Sequence, residues 1–441
     1  MNDEATEGIR FAWKADRSRL PAGEGARLRV LVSAEAPSRE GARAPLNIGL
    51  VMDRSGSMRG EKLRATLESA RLLVDRLSGP DRLSVVFYDT VVETALKPTE
   101  ASDRRALLGA LEEVRARGTT NLSGGWLQGL RLVEKARSRE SVNRLLLMTD
   151  GRANRGITDP AALENVARKA RKKGVVTTTL GFGASFNEDL LAALAAAGGG
   201  RFHFIETPDD APGAFASELG DAMELAAQNL QGRIRPAPGI SLDENLNRFP
   251  ASISGGDLEV FPGDVFAGET RTLLFSLKVP PGPAGTRDLF TATFEFDDLS
   301  DAGASREAAL SASLPAGADA APAPPEDARQ VRLAEALFRT GTAKEQARAR
   351  ADRGDWEGGA AVLEKALRAL DGVPEAPEVE LERRDLRRFA DDFRKRSFGA
   401  VDRKNLSASI FRSQAGRLSA PGKKKIIETR HEKDDPPGGG T

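Results

Sequence analysis

The 441-residue chain contains no cysteine and only two histidines, His203 and His431. The lack of cysteine excludes disulfides, thiol nucleophiles and every zinc site that uses cysteine. With so little histidine, a His-rich metal centre or a Ser-His-Asp triad has little to draw on. We interpret His203, inside the run RFHFIE, as a packed strand residue.

Long apolar runs are also missing from the sequence. No window approaches the run of about 20 apolar residues that crosses a bilayer. The first residues, MNDEATEGIR, are acidic and lack the apolar core of a signal peptide. We therefore expect a cytoplasmic protein with no membrane segment.

The chain has no excess of either charge, since Lys plus Arg and Asp plus Glu each number 65. A neutral balance gives no global field that attracts nucleic acid or anionic membrane, although a local patch can still exist. Hydrophobic residues make up 40% and charged residues 29%, which is typical of a globular chain. The length predicts two or three domains.

The region 46–227 alternates apolar runs with segments of helical period. The predicted strands are LNIGLVMD, DRLSVVFYD, NRLLLMTD, VVTTTLGFG and RFHFIE. Between them, Leu63, Leu67, Ala70, Val74 and Leu77 share one helical face. Strands that are apolar throughout and separated by helices predict a doubly wound α/β fold with a mostly parallel sheet.

The remaining regions differ in texture. Residues 228–314 have short alternating runs with turn signals, which predict a β-sandwich. Residues 1–45 contain similar runs, GIRFAWKA and RLRVLVSA; they either complete the sandwich, so that the α/β domain is inserted into it, or cap the edge of the α/β sheet. We further predict an Ala/Pro linker at 315–326, a helical hairpin or small bundle at 327–396, and a basic, disordered tail at 397–441.

Oxygen-bearing side chains follow the ends of predicted strands. The stretch LNIGLVMDRSGSM places Asp53, Ser55 and Ser57 directly after an apolar run, RGTTNLSGGW supplies Thr120, and NRLLLMTDG ends a second apolar run in Asp150. Loops at the carboxyl ends of the strands of a doubly wound sheet share one crevice, so we expect these five residues to meet there. Two carboxylates and three hydroxyls are ligands for a hard divalent cation such as Mg²⁺.

A simpler interpretation exists for each piece, because Asp, Ser and Gly are ordinary turn formers. Gly56 and Gly151 are assigned to loop geometry rather than to a ligand. Arg54 and Asn121 lie beside the predicted ligands in sequence, where they either contact a partner or form a solvated rim.

The order DxSxS, then Thr in GTTN, then Asp in TDG resembles the metal-ion-dependent adhesion site of von Willebrand factor type A domains. The resemblance covers positions 46–227. With β strands before and after it, the chain also resembles bacterial proteins related to the inter-α-trypsin inhibitor heavy chains and the calcium-activated chloride channel homologues. The phrases TTNLSGGWLQGL and TDGRANRGITDP look particularly like that bacterial group.

The resemblance implies a Rossmann-like domain and a metal-dependent protein-binding site. The resemblance also implies that the hydroxyls of Ser55, Ser57 and Thr120 bind Mg²⁺, Mn²⁺ or Ca²⁺, while Asp53 and Asp150 act partly through water. Neutral direct ligands leave the metal electrophilic, and an Asp or Glu carboxylate of a partner protein completes its shell. The resemblance also suggests a scaffold that works with a ring-forming ATPase or in a multiprotein assembly. It identifies no partner, process or oligomeric state.

The sequence offers two alternatives to this function. An enzyme lacks support because the sequence has no GxxxxGK[ST], strand-linked GxGxxG or GxSxG motif, and no second metal cluster or general base beside the site. A metal-dependent hydrolase nevertheless stays possible in principle. An RNA-associated protein would use the helical segment and the basic tail, where Phe398 and Phe411 are among the few stacking residues.

Overall fold

The computed structural model describes residues 4–5, 8–38, 42–151, 155–247, 249–413 and 417–418. The chain starts with strands that are at least partly buried, and the strand Ala26–Glu35 is buried at five consecutive positions, from Val30 to Ala34. These strands are β1 (Glu4–Ala5), β2 (Arg10–Ala15), β3 (Arg17–Pro21) and β4 (Ala26–Glu35).

An α/β unit follows, with strands buried on both faces. Its strands are β5 (Leu46–Asp53), β6 (Arg82–Tyr88), β7 (Val92–Glu100), β8 (Val142–Thr149), β9 (Val175–Phe182) and β10 (Gly199–Ile205). They lie in the order β10-β9-β8-β5-β6-β7. The pairs among β10, β9, β8, β5 and β6 are parallel, and β7 runs antiparallel to β6. The predicted doubly wound α/β fold is confirmed.

Helices cover both faces of this sheet. They are α1 (Glu61–Arg76), α2 (Arg104–Gly109), α3 (Leu122–Lys135), α4 (Pro160–Lys172), α5 (Glu188–Gly198) and α6 (Ala211–Met223). One buried cluster joins the sheet to α1, α2 and α6, and a second joins it to α3, α4 and α5. Local chemistry sets the helix starts: Asp159 accepts from the backbone N of Ala162 at 3.1 Å, and Pro160 occupies the first turn.

Two further sheets pack face to face and enclose a separate core. The added strands are β11 (Leu225–Pro236), β12 (Ser241–Asn245), β13 (Ala251–Ser254), β14 (Asp257–Phe266), β15 (Thr270–Val279), β16 (Gly285–Asp298), β17 (Ala304–Gly317) and β18 (Ala321–Pro322). One sheet has the order β1-β2-β4-β15-β12, and the other β13-β14-β11-β16-β17-β3-β18. Phe11 of the first sheet stacks on Phe294 of the second at 4.4 Å. Strands β1–β4 thus belong to the sandwich, and the α/β unit is inserted between β4 and β11.

The C-terminal part is helical: α7 (Pro325–Ala351), α8 (Trp356–Ala369), α9 (Pro377–Lys395) and α10 (Ala400–Ser413), followed by β19 (Arg417–Leu418), which pairs with β15.

The linker predicted at 315–326 is wrong, because β17, β18 and the start of α7 occupy most of it. The disordered tail is wrong for 400–413, where Leu406 and Ile410 bury an apolar face. The predicted tail at 414–416 and 419–441 lies outside the described residues. Among the described residues, no helix is long and apolar enough to cross a bilayer.

Candidate metal centre

Strand β5 carries the first three predicted ligands to the carboxyl edge of the sheet. The strand ends at Asp53, whose side chain is fully buried, and the chain then turns into a 3-10 helix, Gly56–Met58. The backbone N of Ser55 donates to Asp53 Oδ1 at 2.7 Å, and Ser55 Oγ lies 3.1 Å from Ser57 Oγ. The tight turn therefore gathers one carboxylate and two hydroxyls.

Asp150 reaches the same point from the end of the neighbouring parallel strand β8. Ser57 Oγ donates to Asp150 Oδ1 at 2.6 Å, although the two residues are 93 positions apart in sequence. Lys62, in the first turn of α1, donates from Nζ to the other carboxylate oxygen of Asp150 at 2.6 Å. The structure thus brings the first and last pieces of the motif into contact. It also places the ammonium group of Lys62 beside them, which sequence reasoning missed.

Thr120 lies beside Asp150. Its side chain is buried, and a Cβ added to Gly151 would lie 3.0 Å from Thr120 Oγ1. Its position is fixed by the next residue, because the backbone N of Asn121 donates to Asp89 O at 2.9 Å and Asn121 Oδ1 accepts from the backbone N of Gly124 at 3.1 Å. Asn121 is therefore the N-cap of α3 and is partly exposed.

Close packing of α3 on the sheet keeps that loop in place. Gly129 of α3 faces β5 so closely that an added Cβ would lie 2.3 Å from Val51 Cγ2. At Gly125 an added Cβ would lie 2.5 Å from Tyr88 Cδ1, and the intervening Trp126 is fully buried. These approaches need glycine because any larger side chain would push the helix outward.

Arg54 is a buried structural residue, which corrects both expectations for it. Its Nε donates to Asp89 Oδ2 at 2.8 Å, and Arg117 Nε donates to the same oxygen at 3.0 Å. Burial raises the pKa of Asp89, but the hydrogen bonds from Val91, Arg117 and Arg54 outweigh it and hold that pKa below its ordinary value. The Asp89 carboxylate thus ties together the loops on either side of the candidate ligands.

Thr149 is a further residue that sequence reasoning missed. Its Oγ1 donates to Asp53 Oδ2 at 2.7 Å and accepts from the backbone N of Gly151 at 3.1 Å. Burial raises the pKa of Asp53 to about 6; the nearby Asp150 adds to this, while hydrogen bonds from Ser55 and Thr149 oppose it. The only signal in the sequence was the Thr of the TDG motif, which directly precedes a predicted ligand.

The donor set fits a hard divalent cation. Side-chain oxygens of Asp53, Ser55, Ser57 and Asp150 meet at one edge of the sheet, and Thr120 Oγ1 lies beside the adjoining Gly151. A cation there would favour the ionised form of the buried Asp53. No group of three or more His, Cys, Asp or Glu side chains in the described residues is placed to hold a metal. A metal at this edge would therefore depend on the hydroxyls of Ser55, Ser57 and Thr120.

The face around the candidate centre carries exposed apolar side chains. Val91, in the turn after β6, is 59% exposed, and Ile157, after β8, is 42% exposed. The backbone N of Ile157 donates to Ser123 Oγ at 2.8 Å, which places it beside the start of α3. The exposed cations Arg59 and Arg155 lie in the same two loops as the ligands. Exposed carboxylates, Glu61, Glu93 and Asp159, lie in the neighbouring positions, so the surface there is apolar with charges of both signs.

The other singled-out residues have structural contacts. His203 lies in β10 and its Nε2 is 2.6 Å from Glu218 Oε1, which agrees with its interpretation as a packed strand residue. Phe398 packs edge-on against Phe393 at 4.6 Å, and Phe411 is partly buried against the core beside α5. These contacts occupy the two aromatic rings considered for stacking on RNA bases.

Comparisons with known proteins identify this region. The von Willebrand factor type A domain family matches residues 47–217. The protein sll0103 of Synechocystis sp. is 30% identical over 282 residues, which are 62% of this chain and 66% of that protein. Inter-alpha-trypsin inhibitor heavy chain H3 of Rattus norvegicus is 31% identical over 230 residues, which are 49% of this chain and 25% of that protein. This chain spans less than two thirds of the length of either relative.

A solved structure is similar over a greater length. The von Willebrand factor type A structure from Catenulispora acidiphila superposes with a TM-score of 0.67 and 17% identity, covering 88% of this chain and 92% of that one. At that identity the likeness shows the fold alone. It extends beyond residues 47–217 and so includes added sheets and helices.

Proposed function

Because residues 47–217 are a von Willebrand factor type A domain, commonly a protein-interaction module, we propose that this chain is a non-enzymatic scaffold that binds a partner protein through a divalent metal. The observation that carries the proposal is the hydrogen bond from Ser57 Oγ to Asp150 Oδ1 at 2.6 Å. It joins two motif pieces from separate strands at the sheet edge where ligands of doubly wound folds gather.

In the proposed centre, Ser55, Ser57 and Thr120 supply hydroxyl ligands to Mg²⁺, with Mn²⁺ or Ca²⁺ as substitutes. Asp53 and Asp150 orient those hydroxyls and bound waters. When bound, the metal supplies an electrophilic site that attracts a carboxylate, since three of its protein ligands are neutral. Thr149 fixes the orientation of the Asp53 carboxylate, because its Oγ1 donates a 2.7 Å hydrogen bond to Oδ2.

The surrounding face supports a partner segment with an Asp or Glu beside apolar residues. Val91 and Ile157 offer apolar contact on two sides, and Arg59 and Arg155 offer positive charge. A ring ATPase or another multiprotein assembly is a partner class that remains part of the proposal, without a residue that selects between them.

The first test measures metal binding by titration calorimetry with MnCl₂ and MgCl₂. We expect saturable binding to the wild type that Ser57→Ala weakens roughly tenfold or more, since it removes one ligand and one hydrogen bond to Asp150. Glu68→Gln changes an exposed carboxylate of α1, outside the candidate centre, and serves as the control that leaves binding unchanged. Equal binding by wild type and Ser57→Ala would refute the metal centre.

The second test measures partner binding. Proteins captured by wild type with Mg²⁺, but not with EDTA or by Asp53→Asn, are identified and purified. Each is then titrated against the chain before and after its exposed Asp and Glu residues are changed to Asn and Gln. We expect one carboxylate change to abolish Mg²⁺-dependent binding. Capture that is the same in all conditions would contradict metal-bridged adhesion.

A further inference from the structure

A pocket of about 640 Å³ lies between the α/β unit and the sandwich, where strands β8 and β9 begin. This is the end of the sheet opposite the candidate metal centre. We call it the interdomain pocket. Its volume is in the range of about 300–1,000 Å³ that holds small-molecule ligands. Its lining is rich in charged groups, and the two sides carry different ones.

The α/β side of the interdomain pocket is basic. Two segments supply it, the loop after α3 and the end of α4, through Arg137, Arg139, Arg171, Lys172 and Lys173. On the sandwich side, each of the four carboxylates has a hydrogen-bond or ion-pair partner, although two of the partners are neutral amides. Asn229 Nδ2 donates to Asp297 Oδ2 at 2.6 Å, and Gln231 Nε2 donates to Glu295 Oε2 at 2.7 Å. The remaining two sandwich carboxylates pair with arginines, in Arg233–Glu259 and Arg144–Asp264.

Arg171 is the unusual member of the basic wall. Its residue is 7% exposed, its guanidinium lies 5.1 Å from the centre of the Phe261 ring, and its Nη1 has no hydrogen-bond partner among the described residues. Burial lowers the pKa of Arg171, the nearby Arg168 lowers it further, and Asp264 only partly compensates. A buried cation without a hydrogen-bonded counter-ion is costly, which points to a ligand that supplies one.

The end of helix α4 does not account for this charge. Its last carbonyl groups already have donors: the backbone N of Lys173 binds Ala170 O at 3.0 Å, that of Gly174 binds Arg171 O at 2.7 Å, and Arg137 Nη1 binds Lys173 O at 2.7 Å. Cations at a helix end complement its dipole, which explains some of the lysines. The dipole of α4 does not explain Arg139, which comes from another loop and makes no ion pair with a described residue.

We propose that the interdomain pocket binds a small organic phosphate. The phosphate group pairs with Arg171, Arg139 and Lys172, whose two guanidinium groups have the planar fork that suits phosphate oxygens. A dianion balances cations from both segments better than a single carboxylate does. Asn229 and Gln231 also line the pocket, with each amide nitrogen already donating to a carboxylate. Such a ligand would contact both the α/β unit and the sandwich.

The test is calorimetric titration of the full chain in EDTA with three probes: inorganic phosphate, ADP and adenosine. EDTA keeps the candidate metal centre out of the measurement. We expect saturable binding of phosphate or ADP and none of adenosine. The double variant Arg139→Ser/Lys172→Ser changes two exposed side chains, so it should fold normally and lose affinity by roughly tenfold or more. Arg171→Met removes the buried cation and should lower the affinity for the phosphate probes as well.

Arg105→Ser is the matched control, because Arg105 is an exposed cation of α2 at the far edge of the sheet. It should leave the affinity unchanged. Three results would each overturn the proposal: no saturable binding of either phosphate probe at millimolar concentration, adenosine binding as well as ADP, or an equal loss in the Arg105→Ser control and the double variant. The last result would mean that binding reflects overall charge alone.

Discussion

Lys62 Nζ lies 2.6 Å from Asp150 Oδ2, while Ser57 Oγ holds the other oxygen of the same carboxylate at the same distance. A lysine from α1 thus neutralises a fully buried acid at the candidate metal centre. A divalent cation bound to this edge would share Asp150 with the ammonium group or displace it. In the proposed centre, Lys62 would therefore oppose metal binding, because it already pairs with Asp150.

From this contact we expect Lys62→Met to raise the affinity for Mn²⁺ by roughly three- to tenfold, because it removes a positive charge and a competitor for Asp150. Calorimetric titration measures the change. Lys97→Met, an exposed lysine on the edge strand β7, serves as the charge-matched control. Unchanged or weaker affinity in Lys62→Met would show that the lysine does not compete with the metal.

Thr149→Val removes the hydroxyl that donates to Asp53 Oδ2 while keeping the shape of the side chain. We expect about 1–3 kcal/mol lower free energy of unfolding, since buried acceptor and donor groups lose their partner. Metal affinity should fall as well, because the Asp53 carboxylate loses the hydrogen bond that fixes its orientation. Chemical unfolding and calorimetry on the same sample measure both. Thr99→Val, at a partly exposed position on β7, provides the control.

Gly129→Ala tests the close approach of α3 to β5. The added methyl group would lie 2.3 Å from Val51 Cγ2 and 2.9 Å from Leu145 Cδ1, so the helix must move. We expect a loss of about 1–3 kcal/mol in stability and weaker metal binding, since α3 carries the loop of Thr120. Gly220→Ala in α6 meets no atom within 4 Å and should be neutral or stabilising. Equal stability of the two variants would contradict this account.

Glu218 gives the protein an acid-sensitive contact. Burial raises its pKa, but the hydrogen bond and charge of His203, with Arg201 and Thr178, more than reverse this and hold the pKa far below its usual range. A depressed carboxyl pKa adds stability above the unfolded value of about 4.3, and this is lost as pH falls below it. Glu218→Gln should cost about 2–4 kcal/mol at pH 7 and less near pH 3. Urea unfolding at both values, with Glu206→Gln as control, measures this.

Lys404 attaches α10 to the α/β unit. Its buried Nζ donates to Glu188 Oε2 at 2.5 Å and to Phe186 O at 3.0 Å. Lys404→Met leaves two buried acceptors without this donor, so we expect faster amide exchange across 400–413. Hydrogen exchange with mass spectrometry measures it, and the exposed Lys395→Met is the control. Exchange that stays as slow as in the wild type would mean that apolar contacts alone hold α10.

The sequence was sufficient for the α/β fold because its signals are local. A strand buried on both faces, such as β5, is apolar at nearly every position, and a helix such as α4 has its own cap residues. The candidate ligands were also predictable as a set, since Asp53 and Asp150 each end or directly follow such a strand. The antiparallel strand β7 was not predicted, because a half-exposed edge strand has no continuous apolar run.

Errors arose where long-range contacts decide the structure. Residues 400–413 look polar, yet α10 is held by Lys404 and by the buried Leu406 and Ile410 against distant elements. The Ala/Pro segment at 315–326 looked like a linker, yet β18 in it pairs with β3, some 300 positions earlier in the chain. Composition cannot report such pairings, because the partner that supplies the hydrogen bonds lies far away in sequence.

Strand patterning and turn chemistry are local properties, so the amino-acid sequence is enough to predict which oxygen atoms are available at the ends of β5 and β8. Folding alone brings Lys62 to Asp150, pairs the buried Arg54 with Asp89, and places a basic wall opposite the sandwich. Those relationships depend on distances between segments that are far apart along the chain. Burial, which raises the strength of each such contact, exists only once the sheets and helices have packed.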